Sequence, residues 1–86
     1  MSNKTILIVD DHKDFRQMLR SFIQNRFTDV DIKEAATGEE GVEVARNEKP
    51  DVSLVDVRLP GIDGIETARQ IKESLPGMPD YYYVHV

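Results

Sequence analysis

The chain contains no cysteine, no tryptophan and no long apolar run. Without cysteine it forms neither disulfides nor thiolate metal sites, as is usual in the cytoplasm. Its longest apolar runs, such as residues 6–9, have only four residues, whereas a transmembrane helix needs roughly 20. The first residues also lack the basic and apolar pattern of a signal peptide. We therefore expect a cytoplasmic protein that does not associate with membranes.

Positive charge is sparse and dispersed. The chain has 11 Lys and Arg residues against 16 Asp and Glu, a net charge of −5, and no two basic residues are adjacent. A protein that binds nucleic acid needs a positive patch to contact the phosphate backbone, so we expect no nucleic-acid binding through this segment. A length of 86 residues fits a single domain, 1–86.

Apolar runs alternate with amphipathic segments along the chain. Strands are predicted at about 5–9, 30–34 and 52–56 and within the tail 80–86, and helices at about 12–27, 38–48 and 64–75. This alternation implies right-handed crossovers and a doubly wound parallel sheet of the α/β class, with about four strands and three helices. The strand at 30–34 alternates apolar and charged residues, which is typical of a sheet edge.

Helix faces and caps follow from residue spacing. The first helix has an apolar stripe that is predicted to be core: Phe15, Met18, Leu19, Phe22 and Ile23. The third helix has a similar inward stripe: Ile65, Ala68, Ile71 and Leu75. Thr37 is predicted to cap the second helix, with Glu40 reaching back to it, and Asp63 to cap the third.

Three carboxylates follow two apolar strands. Asp10 and Asp11 come directly after residues 6–9, and Asp56 ends the run 52–55. Two carboxylates about 4 Å apart repel by roughly 4 kcal/mol at an effective dielectric constant of 20. A hard cation with oxygen ligands, Mg²⁺ or Mn²⁺, offsets this repulsion. Because the carboxyl ends of parallel strands meet at one edge, we expect Asp10, Asp11 and Asp56 to form a metal site.

Two segments, residues 6–12 and 50–64, carry a family resemblance together with the spacing between them. They resemble the receiver domain of two-component response regulators over about residues 4–79, leaving an atypical tail at 80–86. The resemblance implies a flavodoxin-like fold with sheet order 2-1-3-4-5. Such domains have one strand and two helices more than are visible here, so the resemblance also implies a truncated, incomplete domain.

The resemblance also implies roles for individual residues. Asp56 is the phosphoacceptor for a sensor histidine kinase or a small phosphodonor, and the chain is a switch rather than an enzyme. Asp11 holds Mg²⁺ directly and Asp10 holds it through water, while the backbone carbonyl of Arg58 completes the protein ligands. Phosphoryl transfer depends on positioning and on neutralised oxygens, which this arrangement supplies.

Each of these residues also has a purely structural interpretation. Asp10 is a common type of helix cap, Asp56 a common turn residue, and Arg58 an exposed loop arginine. His12 is expected to be a solvated residue of the first helical turn. A metal-dependent phosphohydrolase of the haloacid dehalogenase type is a further alternative, but its Asp-x-Asp motif would require aspartate where this chain has His12.

The tail departs from the receiver pattern. Receivers place a Ser or Thr at the end of strand four and a Lys at the end of strand five, but the hydroxyl position falls near Val84 and the lysine has no counterpart. Each missing donor is worth about 3 kcal/mol, so phosphorylation is expected to be impaired. The alternative function is a non-phosphorylated fragment that acts only in self-association or protein binding.

Self-association is also expected on energetic grounds. Strands 5–9 and 52–56 look apolar on both faces. The shortened fold would leave on the order of 500 Å² of that apolar surface exposed to water. At about 25 cal/mol per Å², this exposure would forfeit roughly 12 kcal/mol of hydrophobic stabilisation. A domain is stable by only about 5–15 kcal/mol. We therefore expect a homodimer or larger species that covers this surface, through the edge at residues 81–83 or by exchange of elements.

Overall fold

A computed structural model describes residues 3–83 and shows strands and helices in strict alternation. The elements are β1 (Lys4–Val9), α1 (Lys13–Arg26), β2 (Val30–Ala35), α2 (Gly38–Glu48), β3 (Val52–Asp56), α3 (Gly64–Ser74) and β4 (Asp80–Tyr83). The predicted elements are confirmed, with boundaries that agree closely. The end of the predicted fourth strand, 84–86, lies outside the described residues. Within residues 3–83, no helix is both long and apolar enough to cross a membrane.

The four strands form one parallel sheet in the order β2-β1-β3-β4. This order confirms the doubly wound, flavodoxin-like arrangement and places β2 at an edge, as predicted. In the register of β1 and β3, Val9 is the partner of Val55. Asp10 and Asp56 each come directly after one of these paired valines. They therefore lie side by side at the carboxyl edge of the sheet.

The sheet separates two apolar layers. Helices α2 and α3 pack against one face, where the core includes Leu7, Val9, Val42, Val55 and Ile71. Helix α1 packs against the other face through a smaller cluster of Ile8, Ile23 and Ile32. The alternation of side chains along β1 explains this division, because neighbouring residues of a strand point to opposite faces.

Three residues that were predicted to be core are exposed instead. Met18 is 59% exposed, Phe22 55% and Ile65 59%. Helix α1 meets the sheet along the line of Leu19 and Ile23. Met18 and Phe22 each precede one of these residues, so they lie about 100° round the helix. Phe22 instead lies 4.6 Å beneath the Arg26 guanidinium.

Ile65 is exposed for the same geometric reason. The buried line of α3 runs through Gly64, Thr67, Ala68 and Ile71. Ile65 follows Gly64 and is turned about 100° away from that line. Small residues therefore occupy most of the buried face of α3, a pattern that the apolar stripe of the sequence did not indicate.

The predicted helix caps are confirmed in α2 and α3, with one change of partner. The Thr37 hydroxyl accepts a hydrogen bond from the Glu40 backbone N–H at 3.1 Å, and the Asp63 carboxylate accepts one from Glu66 N–H at 2.9 Å. Glu40 reaches back to the backbone N–H of Ala36 at 2.6 Å, one residue before Thr37. The capping box thus secures the start of α2 and the end of the β2–α2 loop together.

Candidate functional site

The carboxylates of Asp10 and Asp56 meet at the carboxyl edge of the sheet, and both residues are fully buried. Asp10 follows β1, where its N–H still bonds to the Ala35 carbonyl at 3.0 Å. Asp56 is the last residue of β3. Two adjacent strands therefore bring a carboxylate each to one point, as the positions of these residues in the sequence predict.

Asp11 and His12 complete a four-residue cluster with this pair. One ligand atom from each of Asp10, Asp11, His12 and Asp56 lies within 4.8 Å of the other three. The His12 Nδ1 lies 3.1 Å from Asp11 Oδ1 and 3.2 Å from Asp10 Oδ1. The side chain of His12 is half exposed, as predicted, but the residue is the N-cap of α1 and not part of its first turn, and it also contacts both carboxylates. The sequence interpretation missed that contact.

Asp56 has two oxygens in different surroundings. Its Oδ1 accepts a hydrogen bond from the Arg58 backbone N–H at 2.9 Å. Its Oδ2 is buried and has no hydrogen-bond partner among residues 3–83. A buried, unsatisfied carboxylate oxygen is costly, and it points to a missing partner of positive charge.

These contacts fit a hard divalent cation. Such an ion prefers carboxylate and carbonyl oxygens, and the cluster offers three carboxylates, one of them with an unpaired buried oxygen. Arg58 is exposed and lies at the same edge, held there through its N–H. Its carbonyl as a ligand stays a prediction, as do the separate roles of Asp10 and Asp11.

Asp10 is held by the surrounding protein through all its oxygens. Its Oδ1 accepts from the His12 backbone N–H at 2.7 Å, and its Oδ2 accepts from the Tyr83 hydroxyl, also at 2.7 Å. Its carbonyl oxygen accepts from Arg16 at 2.6 Å. Asp10 does not cap α1, because the N-cap of that helix is His12 and has no side-chain cap bond.

Tyr83 is a site residue that the sequence interpretation missed. It is the partner of Asp56 in the register of β3 and β4, and its ring packs against Phe15 with centroids 5.7 Å apart. Burial raises the pKa of the Tyr83 phenol, and so do the hydrogen bond to Asp10 and the charges of Asp10 and Asp56. The phenol therefore remains a donor. Register counting from Asp56 is the signal that could have identified it.

A group of ion pairs that the sequence interpretation also missed secures the junction between β1 and α1. Arg16 donates to the Asp10 carbonyl and, at 2.8 Å, to Glu34 of β2, which also binds Arg20 at 2.6 Å. Burial alone would raise the pKa of Glu34, but hydrogen bonds from Arg20 and Arg16 outweigh it and lower the pKa. This ion-pair group ties α1 to the edge strand and fixes the backbone of Asp10.

Gly64 supports the other carboxylate. It begins α3 and donates its N–H to the Val57 carbonyl at 3.2 Å. A Cβ at this position would fall on the carbonyl oxygen of Asp56, so only glycine lets α3 approach the end of β3 so closely. The sequence indicated only a turn at this position.

Comparison with known proteins agrees with this geometry. A family model described as the response regulator receiver domain matches residues 6–82. The chain is 40% identical over 75 residues to the response regulator GacA of Pseudomonas viridiflava, covering 83% of this chain and 33% of GacA. It is 38% identical over 81 residues to the nitrate/nitrite response regulator protein NarL of Escherichia coli K12, covering 90% of this chain and 38% of NarL.

A solved structure shows the same fold. The CheY-like response regulator receiver domain protein of Methanospirillum hungatei JF-1 superimposes with a TM-score of 0.89 at 28% identity, covering 99% of this chain and 69% of that chain. The chain spans about a third of the length of these two curated relatives. The family match over most of the chain, the sheet order and the carboxylate edge agree, and the chain belongs to the response regulator receiver domain family.

Proposed function

We propose that this chain is the phosphoacceptor of a two-component phosphorelay, in which Asp56 accepts a phosphoryl group from a sensor histidine kinase. The observation that carries the proposal is the asymmetry of the Asp56 carboxylate: Oδ1 is bonded to Arg58 N–H, whereas Oδ2 has no partner within residues 3–83. The bonded oxygen orients the group. The unbonded one has two lone pairs, one that fits the cation and one that is free to attack phosphorus, so it is the nucleophile. Response regulator receivers interact with histidine kinases, and the cellular site proposed here is the cytoplasm.

The transfer is a single displacement at phosphorus. Asp56 Oδ2 attacks, the bond between phosphorus and the phosphohistidine nitrogen breaks, and its electron pair stays on the imidazole. The product is an acyl phosphate on Asp56. The protein itself is the acceptor of this group and is proposed to be a switch rather than an enzyme with turnover.

Receiver domains bind Mg²⁺ in an acidic pocket, and the cluster of Asp10, Asp11 and Asp56 supports the same assignment here, with the Arg58 carbonyl as a further ligand. Bound Mg²⁺, or Mn²⁺, neutralises the carboxylates and the phosphoryl oxygens. The protein's part is to hold the oxygens in place. Arg16 fixes the Asp10 backbone, and the Gly64 contact fixes that of Asp56.

We propose further that phosphorylation is slow, because Val84 at the receiver hydroxyl position offers no donor to a transferring phosphoryl group. Incubation with acetyl phosphate and Mg²⁺, followed by intact-mass measurement, tests both the assignment of Asp56 as acceptor and the slow phosphorylation. We expect partial gain of one phosphoryl group by the parent and by Asp14→Asn, an exposed control on α1, and none by Asp56→Asn. Labelling of Asp56→Asn equal to the parent would contradict the acceptor assignment, and rapid stoichiometric labelling of the parent would contradict the impairment.

A second candidate function is self-association or protein binding without phosphorylation. It is supported by large side chains exposed on the α1 side of the sheet, among them Phe22 of α1 at 55% and Tyr81 of β4 at 58% exposed. A homodimer through this surface or the β4 edge is compatible with the phosphoacceptor role. A parent that never gains a phosphoryl group but forms a stable dimer would favour this function over the first.

A further inference from the structure

Tyr83 sits at the acidic cluster through the pairing of β4 with β3. In that register it is the partner of Asp56, and its hydroxyl donates to Asp10 Oδ2 at 2.7 Å. The ring is held from the α1 side by Phe15, with the ring planes inclined at 42°. Strand pairing and ring packing thus place the hydroxyl independently of any cation.

The two buried carboxylates differ in how well the protein satisfies them. Both side-chain oxygens of Asp10 have a protein donor, His12 N–H at one and Tyr83 O–H at the other. Asp56 has a donor at only one oxygen among residues 3–83. The Tyr83 hydroxyl thus already bonds to an Asp10 oxygen that a cation, or water bound to it, would also use.

We propose that Tyr83 is a positioning residue that limits cation affinity: its hydroxyl competes with the divalent cation for Asp10, and its release accompanies cation binding. The inference rests on the proposed cation site and deepens it. A hydrogen bond to a charged group is among the stronger ones in proteins, and its loss leaves Asp10 with more unbalanced negative charge. Removing the hydroxyl while keeping the ring therefore strengthens cation binding.

The test is a Mg²⁺ titration of ¹⁵N-labelled protein followed by NMR at the amides of residues 10–12 and 56–58. Tyr83→Phe keeps the ring that packs on Phe15 and removes only the hydroxyl. Tyr82→Phe is the matched control, because Tyr82 is the partner of Val55 and points to the opposite face of the sheet. We expect Mg²⁺ to bind about three- to tenfold more tightly to Tyr83→Phe than to the parent, and equally to Tyr82→Phe and the parent.

The outcomes separate this inference from the cation site on which it rests. Equal or weaker binding by Tyr83→Phe than by the parent would overturn the competition, since a purely structural hydroxyl would weaken the site on removal. Absence of binding by both proteins would overturn the proposed cation site and this inference with it. A parent that binds Mg²⁺ with Tyr83→Phe unchanged would overturn this inference alone.

A second measurement uses the unmodified chain and does not depend on whether Tyr83→Phe folds. Parent protein carrying ¹³C at the tyrosine Cζ atoms is titrated with Mg²⁺, and the Tyr83 signal is assigned by elimination with Tyr81→Phe and Tyr82→Phe. We expect the chemical shift of the Tyr83 signal to change with the same dependence on Mg²⁺ concentration as that of the Asp10 amide, while the Tyr82 signal does not shift. A Tyr83 signal that does not move as the site fills would overturn the proposal.

Discussion

Replacement of Gly64 by alanine is expected to destabilise the fold and to disturb Asp56. The new Cβ would lie on the Asp56 carbonyl oxygen, 2.5 Å from Val57 Cα and 2.8 Å from the Asp56 carbonyl carbon. All three are backbone atoms, so no side chain can rotate to make room. Either the end of β3 or the start of α3 must move, and the bond from Gly64 N–H to the Val57 carbonyl is lost or lengthened.

The expected cost follows from these contacts. Overpacking of a tight site costs about 1–3 kcal/mol, and the weakened hydrogen bond adds about 1 kcal/mol. The better helix propensity of alanine offsets up to about 1 kcal/mol of this destabilisation. We therefore expect a net loss of about 1–4 kcal/mol, a large part of the roughly 5–15 kcal/mol by which a domain is stable.

Urea unfolding followed by circular dichroism at one fixed protein concentration measures this loss. Gly77→Ala is the matched control, because a Cβ at Gly77 would meet no atom within 4 Å of the described structure. We expect the control to change the free energy of unfolding by less than about 0.5–1 kcal/mol, and Gly64→Ala also to bind Mg²⁺ more weakly. Equal midpoints for the two variants would show that α3 does not approach β3 as described.

Three further predictions concern the metal, the ion pairs and the assembly. Asp11→Ala should lose most of its Mg²⁺ affinity in calorimetry while Asp14→Ala retains it, and unchanged binding by Asp11→Ala would remove Asp11 from the site. The lowered pKa of Glu34 means that its stabilising contribution is present above its ordinary value of 4.5 and is lost as the pH falls through the lower folded-state value. Glu34→Gln should therefore cost about 1 kcal/mol at pH 7 and flatten the acid limb of the stability curve; an unchanged acid limb would contradict this assignment. Light scattering should show a dimer or larger species whose stability rises with concentration, whereas a monomer with concentration-independent unfolding would exclude self-association.

Local sequence was sufficient for the elements and their ends. Thr37 and Asp63 cap helices by bonding to N–H groups three residues ahead, an interaction that depends only on nearby residues. The positions of Asp10 and Asp56 after apolar runs also sufficed to place them together, because parallel strands end at one edge. The sequence interpretation was wrong where it treated every apolar residue of a stripe as buried. Which side of a stripe meets the sheet depends on where the helix lies, as Met18 and Ile65 show.

The sequence alone determined the alternation of strands and helices, the sheet class and the carboxylate edge, since these follow from residue period and from the direction of parallel strands. Only the tertiary structure decided what surrounds the carboxylates. The Tyr83 hydroxyl reaches Asp10 from 73 positions away through strand register, and Arg16 reaches its carbonyl from α1. The unpaired Oδ2 of Asp56 and the close contact of Gly64 with the Asp56 backbone likewise arise only when β3 and α3 pack together. Such contacts form only when separate strands and helices pack together, and no local pattern encodes them.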